Sequence, residues 1–161
     1  MNEKESELAR LSYGNLAQKM AAFPTDELVR LLNSKSVKVG DTATSFINER
    51  EALPSVVAAF DQHLITTRNG KMRVAYLLRQ NKRSVEGALR VLLELVKGRV
   101  ADVADNALFG IVLIGGAAAK NALAEIETSP EVNPKTKARI GRAIEAIEKN
   151  NPRIYSPNYG G

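Results

Sequence analysis

Apolar residues recur along this chain at intervals of three and four, the spacing of one helical face, in blocks separated by short polar breaks. The first block, Glu5 to Phe23, ends at Pro24. Thr25 is placed to N-cap a helix through Leu32, with Asp26 and Glu27 in the first turn, where the helix dipole favours acids. A helix is expected over Val37 to Glu49, and Pro54 at a first helical position opens Ser55 to Leu64. After a turn over Thr66 to Gly70, Lys71 to Gln80 is helical, Ser84 is placed to cap Val85 to Lys97, and Gly98 follows as the C′ residue. Val100 to Ile114 and Ala117 to Glu127 flank a Gly115-Gly116 turn, and Asn133-Pro134 sets a cap before Lys135 to Lys149. The pattern predicts eight or nine helices and no strand.

The helical blocks also repeat. Ala43, Ala75 and Ala107 fall 32 residues apart, as do Gly40, Met72 and Ala104, and Phe60 and Leu92 share the offset. Ala88-Leu89 and Ala122-Leu123 are offset by 34. Periods in the thirties with a helix pair per unit are the signature of an α-solenoid, in which each pair buries its apolar face against the next. In Asp41-Thr42-Ala43-Thr44-Ser45-Phe46-Ile47, Arg73-Val74-Ala75-Tyr76-Leu77-Leu78 and Asp105-Asn106-Ala107-Leu108-Phe109 the chain resembles the HEAT and armadillo class, over roughly residues 36–128. The resemblance implies an all-α fold, a right-handed superhelix of stacked antiparallel helix pairs. A compact helical bundle is the alternative. Residues 1–150 are expected to form one helical-repeat domain, and 151–161, which lack periodicity, a flexible or surface-docked tail.

On a helical wheel of the segment Arg83 to Lys97, Arg83, Glu86, Arg90, Glu94 and Lys97 crowd into about 80°. Val85, Ala88, Leu89, Val91, Leu92, Leu93, Leu95 and Val96 fill the rest. A helix that apolar is expected to have neighbours on both flanks, as an interior unit of a stack does.

Composition agrees with helices and removes several kinds of chemistry. Aromatics are 5% of the 161 residues with no Trp, and a core of Ala, Leu, Val and Ile suits closely packed helices. No cysteine is present, so disulfides and thiolate metal sites are excluded. The polar segment Met1 to Glu7 has no leader-like apolar stretch. The longest uncharged apolar run, Ala107 to Ala119, has 13 residues, against the roughly 20 that a membrane helix needs. A cytoplasmic protein with no membrane partner is the expectation.

Catalytic constellations are absent from the sequence pattern. His63 is the only histidine, which excludes multi-histidine metal sites. Although Ser55 and Asp61 lie near it, no G-x-S-x-G turn presents a nucleophile, so His63 reads as a capping or surface residue. The glycines of Gly110 to Gly116 have phosphate-loop spacing without the Lys and hydroxyl that reach phosphate and magnesium, so Gly110 reads as a site of close helix packing. Asp102 and Asp105 share a helical face, and their place near a helix start suffices to explain them. No cofactor, metal or catalytic residue is assigned, and the chain is not expected to be an enzyme.

Charge is the sharper signal. Residues 68–99 carry nine cations and two acids, net +7, more than the net +5 of the whole chain. The nine are Arg68, Lys71, Arg73, Arg79, Lys82, Arg83, Arg90, Lys97 and Arg99. Such a field attracts acidic protein surfaces or phosphate backbones. The expected function is a non-enzymatic protein-binding scaffold or adaptor that engages an acidic protein partner through these residues. Nucleic acid held by its phosphates is the alternative, a small enzyme a remote one. A homo-oligomer through exposed end repeats is compatible with the same architecture.

Overall fold

Where a proline, a capping side chain and an apolar face coincide, the chain follows its local code closely. The computed structural model describes residues 2–80 and 85–155, and these contain ten α-helices, one short 3-10 helix and no strand. Four helices, α1 Glu3–Arg10, α2 Tyr13–Met20, α3 Thr25–Leu31 and α4 Val37–Glu49, precede α5 Leu53–Asp61 and α6 Arg68–Gln80. They are followed by α7 Ala88–Lys97, α8 Ala101–Ile114, α9 Gly116–Glu127, α10 Pro134–Glu148 and the 3-10 turn Pro152–Tyr155. Among the described residues no helix is long and apolar enough to cross a membrane.

Helix α4 has the bounds read from the sequence, with Ser36 as its cap. Asn133 caps α10 by accepting from the Lys135 backbone N–H at 2.8 Å, and Pro134 opens the helix. Pro54 sits in the first turn of α5. Gly115 and Gly116 take φ of +65° and +82° and turn α8 into α9, a backbone region that glycine enters without strain.

Four local expectations are corrected. The first block is two helices, because Ser12 takes an extended conformation and its Oγ accepts from the Asn15 N–H at 3.3 Å, starting a second helix. Pro24, not Thr25, occupies the N-cap of α3 and makes no side-chain cap bond. Helix α7 begins at Ala88, since Gly87 adopts a left-handed φ of +81° and turns the chain before it. Gly98 is extended, at φ −64°, because the chain runs directly on into α8 without a left-handed turn. The expected Ser84 cap lies outside the described residues.

Three helices end in one motif with a non-glycine residue at its left-handed position. Glu51, His63 and Asn150 have φ of 52°, 57° and 46°. In each case the next N–H reaches back five residues: Ala52 to Ile47, Leu64 to Ala59 and Asn151 to Ala146, at 2.9–3.0 Å. The left-handed residue itself bonds to Asn48, Phe60 or Ile147, completing a Schellman C-cap. His63 is therefore a helix-ending residue with an exposed side chain.

The chain divides into two compact units, Met1–Leu77 and Leu78–Gly161. In the first, α4 packs on α1, α2 and α3, and α3 also packs on α5. Leu8, Leu16, Met20, Leu28, Leu32, Ile47 and Leu77 are fully buried there. In the second, α8 packs on α7, α9 and α10, while α7 also meets α9, and α10 holds the Pro152–Tyr155 turn through buried Tyr155. Within each unit an even-numbered helix touches the even-numbered helix two places on, as α2 does α4 and α8 does α10. The odd-numbered α3 and α5, and α7 and α9, do the same. Ala43, Ala75 and Ala107, the residues 32 apart, are all fully buried, which explains why small side chains recur at those positions.

Candidate functional site: a charged groove on the second unit

The nine cations do not form one surface. In the first unit, Arg68 is exposed at the start of α6 and Lys71 is half-buried one turn later. Arg73, on the same helix, points inward and is 8% exposed. Its guanidinium donates to the backbone carbonyls of Leu32 and Ser34 at 2.8 and 2.9 Å, and its Nε to Asp41 Oδ1 at 3.2 Å. A Cβ on residue 40 would stand 2.0 Å from Arg73 Cζ, so Gly40 leaves the space in which the guanidinium lies. Arg73 thus closes the α3 to α4 connection, supplying donors to carbonyls that the end of α3 leaves without helical partners.

Asn33 does similar work beside it. Its Oδ1 accepts from the Thr66 and Thr67 N–H groups at 3.0 and 3.2 Å, and its Nδ2 donates to the Leu64 carbonyl at 2.7 Å. The Thr67 hydroxyl accepts from the Gly70 N–H at 2.9 Å and so caps α6. These polar residues hold the entry to α6 against the α3 to α4 corner.

In the second unit, Arg79 is half-buried, donating to Asn106 Oδ1 at 3.0 Å with its guanidinium 5.5 Å from the centre of the Phe109 ring. Asn106 is itself buried and donates to the Asp102 carbonyl at 2.9 Å. Gly110 lies under this corner, where an added Cβ would meet Leu92 and Arg79 at 3.1–3.2 Å, in keeping with close helix packing. Asp102 and Asp105 have structural uses: the first accepts from the Val103 N–H at 2.9 Å, and the second pairs with Arg139. Lys82 and Arg83 lie outside the described residues. Arg90, Lys97 and Arg99 remain: Arg90 and Arg99 are exposed, and Lys97, at the end of α7, pairs with Glu94 at 3.1 Å.

Arg90 and Lys97 border an open groove of 760 Å³. Leu89 and Leu93, one turn apart on α7, form part of its floor with Leu113 and Ile114 from the end of α8. Those last two are 45% and 44% exposed, unusual for residues of an apolar run. Ala118, Ala122 and Glu125 of α9 form the opposite edge, at i, i+4 and i+7. The α7 edge reads Glu86, Arg90, Glu94, Lys97, so its charges alternate.

The groove was only half visible in the sequence. Leu89 and Leu93 belong to the broad apolar arc of the helical wheel, for which neighbours on both flanks were expected; α7 meets α8 and α9, yet both leucines stay half-exposed. Leu113 and Ile114 lie within the uncharged apolar run Ala107 to Ala119. The available signal was the Gly115-Gly116 turn, which brings α8 to a stop at the surface straight after them. Among the described residues no group of three metal-ligating side chains comes together.

Comparison of the chain with protein-family models, with curated proteins and with solved structures finds no match.

Proposed function

We propose that this chain is a non-enzymatic binding module, a short HEAT-like stack of helical hairpins that engages an acidic protein surface from the α7 side of its second unit. The observation that carries the reading is the groove, whose floor exposes Leu113 and Ile114 and whose α7 edge alternates Glu86, Arg90, Glu94 and Lys97. Exposed apolar side chains of that size beside charges of both signs are the composition of a recognition surface: apolar area supplies affinity, and charge supplies steering and register.

A stacked-hairpin architecture is supported by two regularities. Helices α4, α6, α8 and α10 begin at residues 37, 68, 101 and 134, close to a constant step. Within each unit, alternate helices touch, as they must when hairpins stack into two rows. Membership of the HEAT and armadillo class, and the right-handed superhelix that it implies, rest on this periodicity together with the quoted repeats. A cytoplasmic setting is part of the same proposal, as is the absence of cofactor chemistry.

Co-purification from the native host, with bound proteins identified by mass spectrometry, tests the reading. An acidic protein retained at low salt, released as salt is raised, and lost from the double variant Arg90→Glu/Lys97→Glu is the expected result. Retention of generic single- or double-stranded nucleic acid, with no protein retained, would overturn it in favour of phosphate binding.

A further inference from the structure

From the order of charges and leucines on α7 we infer that the groove of the second unit is covered by the same face of a second copy of this chain, the two α7 helices packing antiparallel about a two-fold axis. Such a dimer goes beyond the binding-module reading and shares its surface. Arg90, Glu94 and Lys97 of α7, with Glu86 in the turn before it, alternate in sign along the groove beside the half-exposed Leu89 and Leu93. At a two-fold interface residue i meets residue j and j meets i, so a face pairs with itself only if it is complementary when read backwards. This one is. An antiparallel second copy sets Arg90 against Glu94, Glu86 against Lys97 and Leu89 against Leu93, each pair occurring twice. The midpoints of the three pairs fall at residues 91 to 92, so one axis serves all of them to within about 1.5 Å, the rise of a single residue.

The same pattern fixes the register. Sliding one copy by about a turn sets Arg90 against Lys97 in one direction and Glu86 against Glu94 in the other, and a parallel pair sets each charge against its own kind. Pairing does not require groups without partners. Glu94 already accepts from Lys97 at 3.1 Å, but a carboxylate has two oxygens and an arginine five N–H donors, so pairs made along one helix extend across the axis. Two acids and two bases make the stripe neutral, and Glu125, on the α9 edge, lies off it. Repulsion between two chains of net +5 is screened over about 8 Å at physiological salt, and a neutral stripe adds nothing to it. Apolar area supplies the affinity: beside the paired leucines, Leu113 and Ile114, 45% and 44% exposed, widen the band. Ala118 and Ala122 on the α9 edge are small and leave room for an incoming helix. Because the dimer covers the face proposed for the acidic partner, the two compete for it.

Sedimentation velocity of the full chain, from micromolar to millimolar concentration, tests this. A concentration-dependent rise from the 17.5 kDa monomer towards twice that mass is expected. Arg90→Glu places a carboxylate against Glu94, and Glu94→Arg places a guanidinium against Arg90, so each alone should weaken dimerisation about tenfold or more. An equimolar mixture of the two variants should recover it, since each copy then meets its complement at both positions. The double variant Arg90→Glu/Glu94→Arg should dimerise with itself and not with the unaltered chain. Both residues are surface-exposed, and an unchanged far-ultraviolet circular dichroism spectrum shows that each variant folds. A chain that stays monomeric throughout overturns the dimer. A dimer that the single variants leave intact, or that their mixture fails to rebuild, overturns the α7 pairing. Capture of an acidic protein by a strictly monomeric chain would leave the binding module standing alone, whereas a charge-sensitive dimer that captures no protein would leave only the pairing.

Discussion

Arg73 and Arg90 lie in the same basic stretch of the sequence, and the fold uses them in opposite ways. Arg73 is buried in the first unit, donating to two carbonyls and one carboxylate over the bare backbone of Gly40. Arg90 is exposed on the second unit at the edge of an apolar groove. A buried guanidinium contributes to stability through the groups it satisfies, and its loss leaves those groups unpaired in a dry place. An exposed one contributes little to folding. A net charge of +7 over 68–99 therefore overstates the binding surface, because part of that charge is structural.

The comparison is broken most sharply at Arg73. Arg73→Ala should lower unfolding stability by about 3 kcal/mol in urea titration, since it strands the Leu32 carbonyl and leaves that of Ser34 only the Asn69 Nδ2 donor at 3.4 Å. Gly40→Ala should cost about 2 kcal/mol on its own, because the new methyl group takes the guanidinium's place. In the Arg73→Ala background the same change should become neutral or stabilising by up to about 1 kcal/mol, as alanine is the better helix former. Additive losses in that double-mutant cycle would show that Gly40 and Arg73 do not share the space.

Next in size are the left-handed C-caps. Glu51→Gly and His63→Gly should each raise the free energy of unfolding by about 1 kcal/mol, because glycine enters the left-handed region without the Cβ penalty. A destabilised His63→Gly would indicate that the imidazole makes a contact of its own. Arg90→Glu should shift stability by no more than about 1 kcal/mol, the upper range for an exposed charged side chain. A loss like that of Arg73 would erase the contrast between the two residues.

The smallest effect is electrostatic. A hydrogen bond and the charge of Lys149 hold the Glu145 carboxyl below its ordinary value of 4.5. A depressed carboxylate contributes stability above its unfolded pKa that disappears as pH falls through its folded one. Acidification below about pH 4.5 should thus remove a slight contribution, and Glu145→Gln should flatten that part of a stability-against-pH curve.

Local signals explain which parts of this architecture were legible. Val37–Glu49, the Asn133-Pro134 start and the Gly115-Gly116 turn are each encoded within a few residues, and each is where the sequence places it. The break at Ser12 and the start of α7 after Gly87 were missed, because a hydroxyl cap inside a helical pattern and a left-handed glycine interrupt periodicity without altering it. Arg73 is a different case. Its partners lie 32 to 41 residues back along the chain, and nothing near it distinguishes a buried arginine from a solvated one. The one hint was that Asp41 and Arg73 occupy the same place in successive repeats, so that a long side chain from one can reach the other. The groove escaped for the converse reason: Leu113 and Ile114 have the composition of a core, and only the end of α8 at a surface turn leaves them exposed.

Backbone amide shifts, recorded as the co-purified acidic protein partner is added to the 17.5 kDa chain, test the division of labour most directly. Changes should concentrate on Leu89 to Lys97, Leu113 and Ile114, and Ala118 to Glu125, with the amides around Arg73 and Asn33 left in place. Changes confined to residues 68–77, with the groove silent, would contradict it.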